Sequence, residues 1–169
     1  PPSVDQSGKT TQVANQASTM SSFSGNLLFY AQGDTLFNKD HNVSENGFGL
    51  IKPNFFSSNI STKIPGYKDK YIVISAKSEI SLGRSNIVFS IVHIDSNGYA
   101  SIDTSYHNKI ITKNCTQQLA ILKHSNSSNY WLLVHKVNSN RFLSFLIDST
   151  FSFNDSVTTE IGPVFGESE

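Results

Sequence analysis

Apolar residues along this chain come in short stretches of four to eight, each bounded by clusters of Asn, Ser, Gly and Asp. Such stretches have the length of β-strands, and the residues between them are those that favour hairpin turns. No eleven-residue window places apolar residues at the three- and four-residue spacing of an amphipathic helix. The pattern therefore predicts an all-β protein.

The apolar stretches fall into three similar units, which we place at about 23–66, 67–112 and 113–169 and interpret as parts of one larger domain. Tyr71 and Tyr130 each open a strand, in the second and third units respectively. An Ile-Asp pair closes the following strand in both units. This repetition favours a fold built from successive blade-like sheets.

The segments around these units have a different character. Residues 1–22 hold few apolar side chains, which predicts an irregular or edge segment. The polar stretch 51–66 contains two prolines and is interpreted as a connector, whereas 161–165 reads as a strand.

Several stretches, such as 71–74 and 87–89, are apolar at consecutive positions and do not alternate with polar residues. Strands of this kind are covered on both faces. We therefore expect antiparallel, blade-like sheets of a partial β-propeller, with a β-sandwich as the alternative. Because closed propellers have four to eight blades, three units would leave open strand edges for other blades or another subunit to pair with.

Composition narrows the choice of partners. Only 15% of the residues are charged, and 13 basic residues balance 13 acidic ones. A neutral chain has no net field to attract nucleic acid, so we expect no nucleic-acid partner. No apolar run is longer than five residues, as in 130–134, which is far below the roughly 20 residues of a membrane span, and we expect no membrane insertion.

Histidines and oxygen-rich turns are the candidates for metal chemistry. His124 and His135 are placed on two strands that we expect to pair, but zinc needs further ligands and none is recognisable. We expect both to be structural and predict no cofactor. Asn38–Asn42 and Asp95–Gly98 resemble calcium loops faintly without matching an EF-hand, which leaves calcium as an alternative.

Aromatic residues divide into core and ligand candidates. Trp131 lies in the densest apolar run, so we predict that it is a largely buried structural residue whose replacement by Ala costs about 3–5 kcal/mol. Tyr67, Tyr99 and Tyr106 adjoin turn residues and are candidates for facing a ligand, because exposed rings stack on sugars. No nucleophile elbow, zinc-protease motif or phosphate-binding loop occurs, and we expect no enzymatic activity.

Residues 23–148 resemble a known family. Ser24–Tyr30, Phe37–His41 and Ala120–Ile147 are similar to the opening region of large Bacteroidetes surface proteins. In the last of these segments the resemblance runs through His124, Trp131 and His135, although Lys136 stands where the family has glutamate. Those proteins are exported by the type nine secretion system and carry a gliding-motility-associated sorting domain.

The resemblance implies a β-propeller-like region of a secreted protein on a bacterial cell surface. Together with the absence of catalytic motifs, it leads us to expect a non-enzymatic binding or scaffold module, adhesin-like, with a glycan or surface protein as ligand. Two alternatives stay open. One is a polysaccharide-acting hydrolase with a carboxylate pair that the sequence does not reveal. The other is an inert spacer of a surface fibre.

Overall fold

The computed structural model describes residues 17–51, 59–79 and 82–165 of the chain. These residues form twelve β-strands and a single-turn 3-10 helix at Thr104–Tyr106, with no α-helix among them. The strands are Ala17–Ser21 (β1), Leu27–Gln32 (β2), Thr35–Asn38 (β3), Val43–Phe48 (β4), Asn59–Lys63 (β5), Lys70–Glu79 (β6), Arg84–Ile94 (β7), Ala100–Ile102 (β8), Lys109–Lys123 (β9), Tyr130–Lys136 (β10), Ser139–Ile147 (β11) and Val157–Phe165 (β12). The prediction of an all-β protein is confirmed. Over the same residues, no helix has the length and hydropathy needed to span a membrane.

Consecutive strands pair antiparallel in three groups of four, which we call the first group (β1–β4), the second group (β5–β8) and the third group (β9–β12). β7 also pairs with the first part of β9, and β4 pairs with β8. The twelve strands therefore form one continuous, open sheet. Within each group, the loop after the first strand and the loop after the third strand lie at the same end, which we call the loop end.

One pairing departs from the antiparallel order expected from the sequence. β4 and β8 run parallel, joined at Glu45 and Ser101. Each of these strands is the second strand of a hairpin. The two hairpin turns lie side by side, and Lys39 in the β3–β4 turn donates a hydrogen bond to the carbonyl of Asn97 in the β7–β8 turn. Two hairpins repeated in the same orientation bring their last strands together in parallel. The purely antiparallel expectation was therefore wrong at this position.

The hydrophobic core lies on both faces of β6 and β7. β6 has six consecutive buried residues and β7 has eight, which confirms that these apolar runs are covered on both sides. On one face, Tyr71 and Val73 pack against Phe29 and Leu36 of the first group. One further core cluster fills the other face, with side chains from two groups: Ile72, Ile74, Ile87, Phe89 and Ile91 from the second group, and Leu132, Val134, Phe145 and Ile147 from the third.

Two segments that looked irregular contribute strands. β5 lies inside the stretch predicted as a connector, and it pairs with β6 from Asn59↔Ser75 to Lys63↔Tyr71. The connector prediction was wrong there because β6 offers an unpaired edge whose backbone groups a polar segment can satisfy. β1 pairs with β2 along one side only, so it is an edge strand of the sheet. The remainder of that predicted segment, 1–16, lies outside the described residues.

The three turns that follow the third strand of each group have related hydrogen bonds. Asn38 and Asp95 each accept bonds with the side-chain oxygen from the backbone N–H groups two and four residues later. Asp148 accepts the first of these two bonds, from Thr150. At the third residue after Asp95 the backbone has φ of 82°, and this position is Gly98. Asx-type side chains and positive φ are the signals of such turns, so Asp95–Gly98 is a hairpin turn.

Candidate functional site

Tyr99 lies in an exposed cluster at the loop end, where the β3–β4 and β7–β8 turns meet. Its side chain is 42% exposed, and the ammonium group of Lys39 lies 4.6 Å from the centroid of its ring. A hydrogen bond to the carboxylate of Asp40 raises the pKa of Tyr99. We call Lys39, Asp40, Asp95, Asn97 and Tyr99 the Tyr99 site.

Hydrogen bonds within and between the two turns hold the Tyr99 site in place. The Lys39 ammonium group donates to the carbonyl oxygen of Asn97 at 2.6 Å, which fixes the cation over the ring. The carboxylate of Asp95 accepts from the backbone N–H of Asn97 at 2.9 Å and from that of Tyr99 at 2.8 Å. These contacts leave the Asn97 side chain exposed beside an oriented aromatic ring and two carboxylates.

Tyr67 and Tyr106, the other two tyrosines predicted to face a ligand, are brought together by Phe151. The ring of Phe151 lies 6.2 Å from that of Tyr67 and 5.2 Å from that of Tyr106, in the second case edge-to-face. The Lys70 ammonium group is 4.6 Å from the centroid of the Tyr67 ring. Phe151 lies in the β11–β12 loop, so it joins the third group to the second.

This second aromatic cluster continues into the core. Tyr106 is 38% exposed, and its ring lies 6.3 Å from that of Phe89, which in turn lies 5.1 Å from Phe153. Tyr67 packs against the same core cluster. Phe151 and Phe153 cannot be recognised in the sequence as partners of these tyrosines, because the contacts join residues about 45 to 85 positions apart.

His124 lies in the β9–β10 turn and not on a strand as expected, whereas His135 lies near the end of β10. The Nδ1 atom of His124 accepts a hydrogen bond from the backbone N–H of Asn126 at 3.0 Å, and the His124 ring lies 5.3 Å from that of Trp131. The ring of His135 lies 4.4 Å from that of Phe142. His124 lies beside Trp131, and Trp131 and His135 are four positions apart on β10, which is a distance of roughly 13 Å. The two imidazoles therefore do not share one site.

Trp131 is part-buried but belongs to neither core cluster. Leu132 and Val134 point into the core from β10, so Trp131, Leu133 and His135 point to the opposite side of the sheet. The expectation that Trp131 is shielded from solvent holds only in part: its cover comes from neighbours on its own sheet, Leu122 and Leu146 among them.

This opposite side, which we call the outer face, extends over all four strands of the third group. It consists of Gln118, Ala120, Leu122, Trp131, Leu133, His135, Phe142, Ser144, Leu146, Val157, Thr159 and Ile161. None of them is Asp, Glu, Lys or Arg. At one end of the outer face, His135, Phe142 and Ile161 line a groove of about 570 Å³.

Metal and thiol chemistry find little support in the geometry. Over 17–51, 59–79 and 82–165, no three His, Cys, Asp or Glu side chains cluster closely enough to hold a metal ion. Asn38 and Asp95, which suggested calcium, use a side-chain oxygen to bind their own turns. Cys115 is fully buried in β9, and burial raises the pKa of its thiol.

No protein-family model, curated protein or solved structure matches this chain. The Tyr99 site combines an aromatic ring with carboxylates, an arrangement that suits a polar ligand with one apolar face. The outer face is a largely apolar surface without charged side chains.

Proposed function

We propose that this chain is a partial β-propeller of a secreted, bacterial cell-surface protein and acts as a non-enzymatic glycan-binding module. The observation that carries the proposal is the Tyr99 site. It combines a half-exposed aromatic ring, held by Asp40 and Lys39, with an exposed Asn97.

Sugar recognition requires two kinds of contact, and both are present. The C–H faces of a pyranose pack on an aromatic ring, while its hydroxyls need oriented donors and acceptors. Lys39 lies over one side of the Tyr99 ring, so a sugar would stack on the other side. Asp40 contacts the Tyr99 hydroxyl and Asp95 contacts the Tyr99 backbone N–H, so these two carboxylates, with the exposed Asn97, would bind the sugar hydroxyls. Pre-oriented groups of this kind reduce the entropy lost on binding.

The propeller arrangement is supported by the order of the strands. Three successive groups of four antiparallel strands pack face to face, and the middle group is covered on both sides. Propellers place their ligands at one end of the blades, on the loops between strands. The Tyr99 site lies on two such loops, one from the first group and one from the second. The resemblance to exported Bacteroidetes surface proteins supports the cell-surface location.

The proposal is tested with a glycan array probed by the labelled full chain, followed by calorimetry on the best glycan. We expect Tyr99→Ala to weaken binding roughly tenfold or more, which corresponds to about 1.4 kcal/mol. Asp40→Asn should weaken it less, since the amide keeps one hydrogen bond. Tyr106→Ala is the matched control, because its ring has similar exposure but lies in the other aromatic cluster.

Three results would contradict the proposal. Equal losses of glycan affinity in Tyr99→Ala and Tyr106→Ala would show that the Tyr99 site is not the binding site. Hydrolysis of chromogenic glycosides that disappears with Asp40→Asn or Asp95→Asn would favour the hydrolase. A chain that binds no glycan at millimolar concentration would favour a protein ligand or an inert spacer.

A further inference from the structure

The outer face of the third group is an exposed sheet surface without charge. In a chain with 26 charged residues, twelve positions over four adjacent strands carry none. Leu122, Val157 and Ile161 are 52%, 56% and 64% exposed. The buried centres of protein interfaces are depleted of charge in this way, whereas solvated sheet faces carry polar residues.

The repeat within the chain indicates what kind of surface covers such a face. Tyr71 and Tyr130 occupy equivalent places, so Ile72 and Ile74 of β6 correspond to Trp131 and Leu133 of β10. Ile72 and Ile74 are fully buried, because the third group packs on them. Trp131 and Leu133 have no such cover within the described residues and stay part-exposed. The outer face therefore has the chemistry of a surface that receives another β-sheet.

We propose that the sheet covering the outer face is the same face of a second copy of this chain, related by a twofold axis. Two copies of an uncharged face meet without like-charge repulsion. On the far side of the first group, Tyr30 and Phe37 at the centre are only 8% and 6% exposed, and the exposed apolar residues Val43 and Phe48 lie on β4, away from that centre. Pairing of the outer face with itself is thus favoured over head-to-tail pairing.

The shape of the outer face is self-complementary. Leu122 projects at the end of the face beside Trp131, while the 570 Å³ groove lies at the other end, between His135, Phe142 and Ile161. A twofold axis through the middle of the face, near Ser144, brings the Leu122 end of each copy to the groove of the other. Such mutual contacts are the property of isologous dimers.

The size of the face sets the strength of the contact. Four strands spaced by about 4.8 Å and about five residues long give a flat area of roughly 300 Å² per copy, before the relief of the side chains is counted. This is small compared with the roughly 800 Å² per partner of standard interfaces. We therefore expect a reversible dimer that dissociates on dilution.

Sedimentation velocity of the full chain, from about 1 to about 200 µM, is the test, and the share of dimer should rise with concentration across this range. Leu122→Arg should leave a monomer over the whole range, since it places a charge in the contact. Ile110→Arg is the matched control: it lies on the same strand, is 53% exposed, and lies outside the outer face. It should dimerise like the original chain.

A disulfide tests the symmetry separately. Ser144→Cys should form a covalent dimer on mild oxidation, because two copies of this residue face each other near the axis, whereas Ile110→Cys should not. A chain that stays monomeric at the highest concentration overturns the proposal. So does a dimer that both arginine variants weaken equally, or one that Ser144→Cys fails to cross-link. Circular dichroism confirms that each variant is folded.

Discussion

Leu132 and Trp131 are neighbours on β10 and face opposite sides of the sheet, so they provide a direct test of where the core lies. Leu132 is fully buried and belongs to the core cluster between the second and third groups. Trp131 lies on the outer face against His124. We predict that Leu132→Ala destabilises the protein more than Trp131→Ala does, although the indole is the larger side chain.

The expected sizes follow from burial. Leu132→Ala removes the equivalent of three methylene groups, worth about 0.8 kcal/mol each, and adds the cost of a cavity that packed neighbours cannot fill. The total is about 3–4 kcal/mol, or a fall in Tm of roughly 10 °C for a domain of this size. Trp131→Ala leaves an open surface instead of a closed cavity. Its cost should be about 1–2 kcal/mol, less than the 3–5 kcal/mol that the sequence suggested.

Urea denaturation followed by far-ultraviolet circular dichroism measures both values. It should be run near 1 µM, where we expect the monomer, so that loss of dimer contacts does not enter the comparison. Leu122→Ala serves as a control for removing an exposed apolar group and should change stability by no more than about 0.5 kcal/mol. If Trp131→Ala costs as much as Leu132→Ala or more, the assignment of faces on β10 is incorrect.

Three further predictions concern single residues. Cys115 should react with a thiol reagent much more slowly in the native chain than in urea, because burial raises its pKa and blocks access; equal rates would contradict its buried position. Hydrogen bonds from Thr150 lower the pKa of Asp148 below its ordinary value of 3.8, so this carboxylate stabilises the fold above that pH and the stabilisation is lost as the pH falls through the lower, folded-state pKa. The stability difference between the original chain and Asp148→Asn should accordingly shrink in acid melts, and a difference that stays constant from pH 7 to the acid limit would disprove the linkage. Gly98→Ala forces a positive φ on a residue with a side chain and should cost about 1 kcal/mol in thermal unfolding, whereas an unchanged Tm would mean that the turn relaxes freely.

Local sequence was sufficient for the hairpins. A turn residue acts on its own backbone: Asp95 binds the N–H groups that follow it, and Gly33 and Gly98 supply positive φ between strands. The all-β class and the double cover of β6 and β7 follow from the same local information. An unbroken apolar run has no polar face to turn toward water.

β5 and the parallel β4–β8 contact could not be predicted from local sequence, because both depend on pairing between separate strands. β5 carries the sequence Asn-Ile-Ser-Thr-Lys, which contains a single large apolar residue and has no strand pattern of its own. It becomes a strand because β6 provides backbone partners. The direction of β4 relative to β8 depends on how two hairpins lie beside each other, and no residue in either strand encodes that.

In the candidate site, too, some features could be predicted from the sequence and others depended on tertiary contacts. Exposed tyrosines next to turns can be recognised in the sequence, yet the contacts of Tyr99 with Lys39 and Asp40 join residues about 60 positions apart. Likewise, the run 130–134 has no alternation that could assign Trp131 or Leu132 to the core. The strands packed on one side of β10 made that choice, because a side chain becomes buried only where another layer covers it.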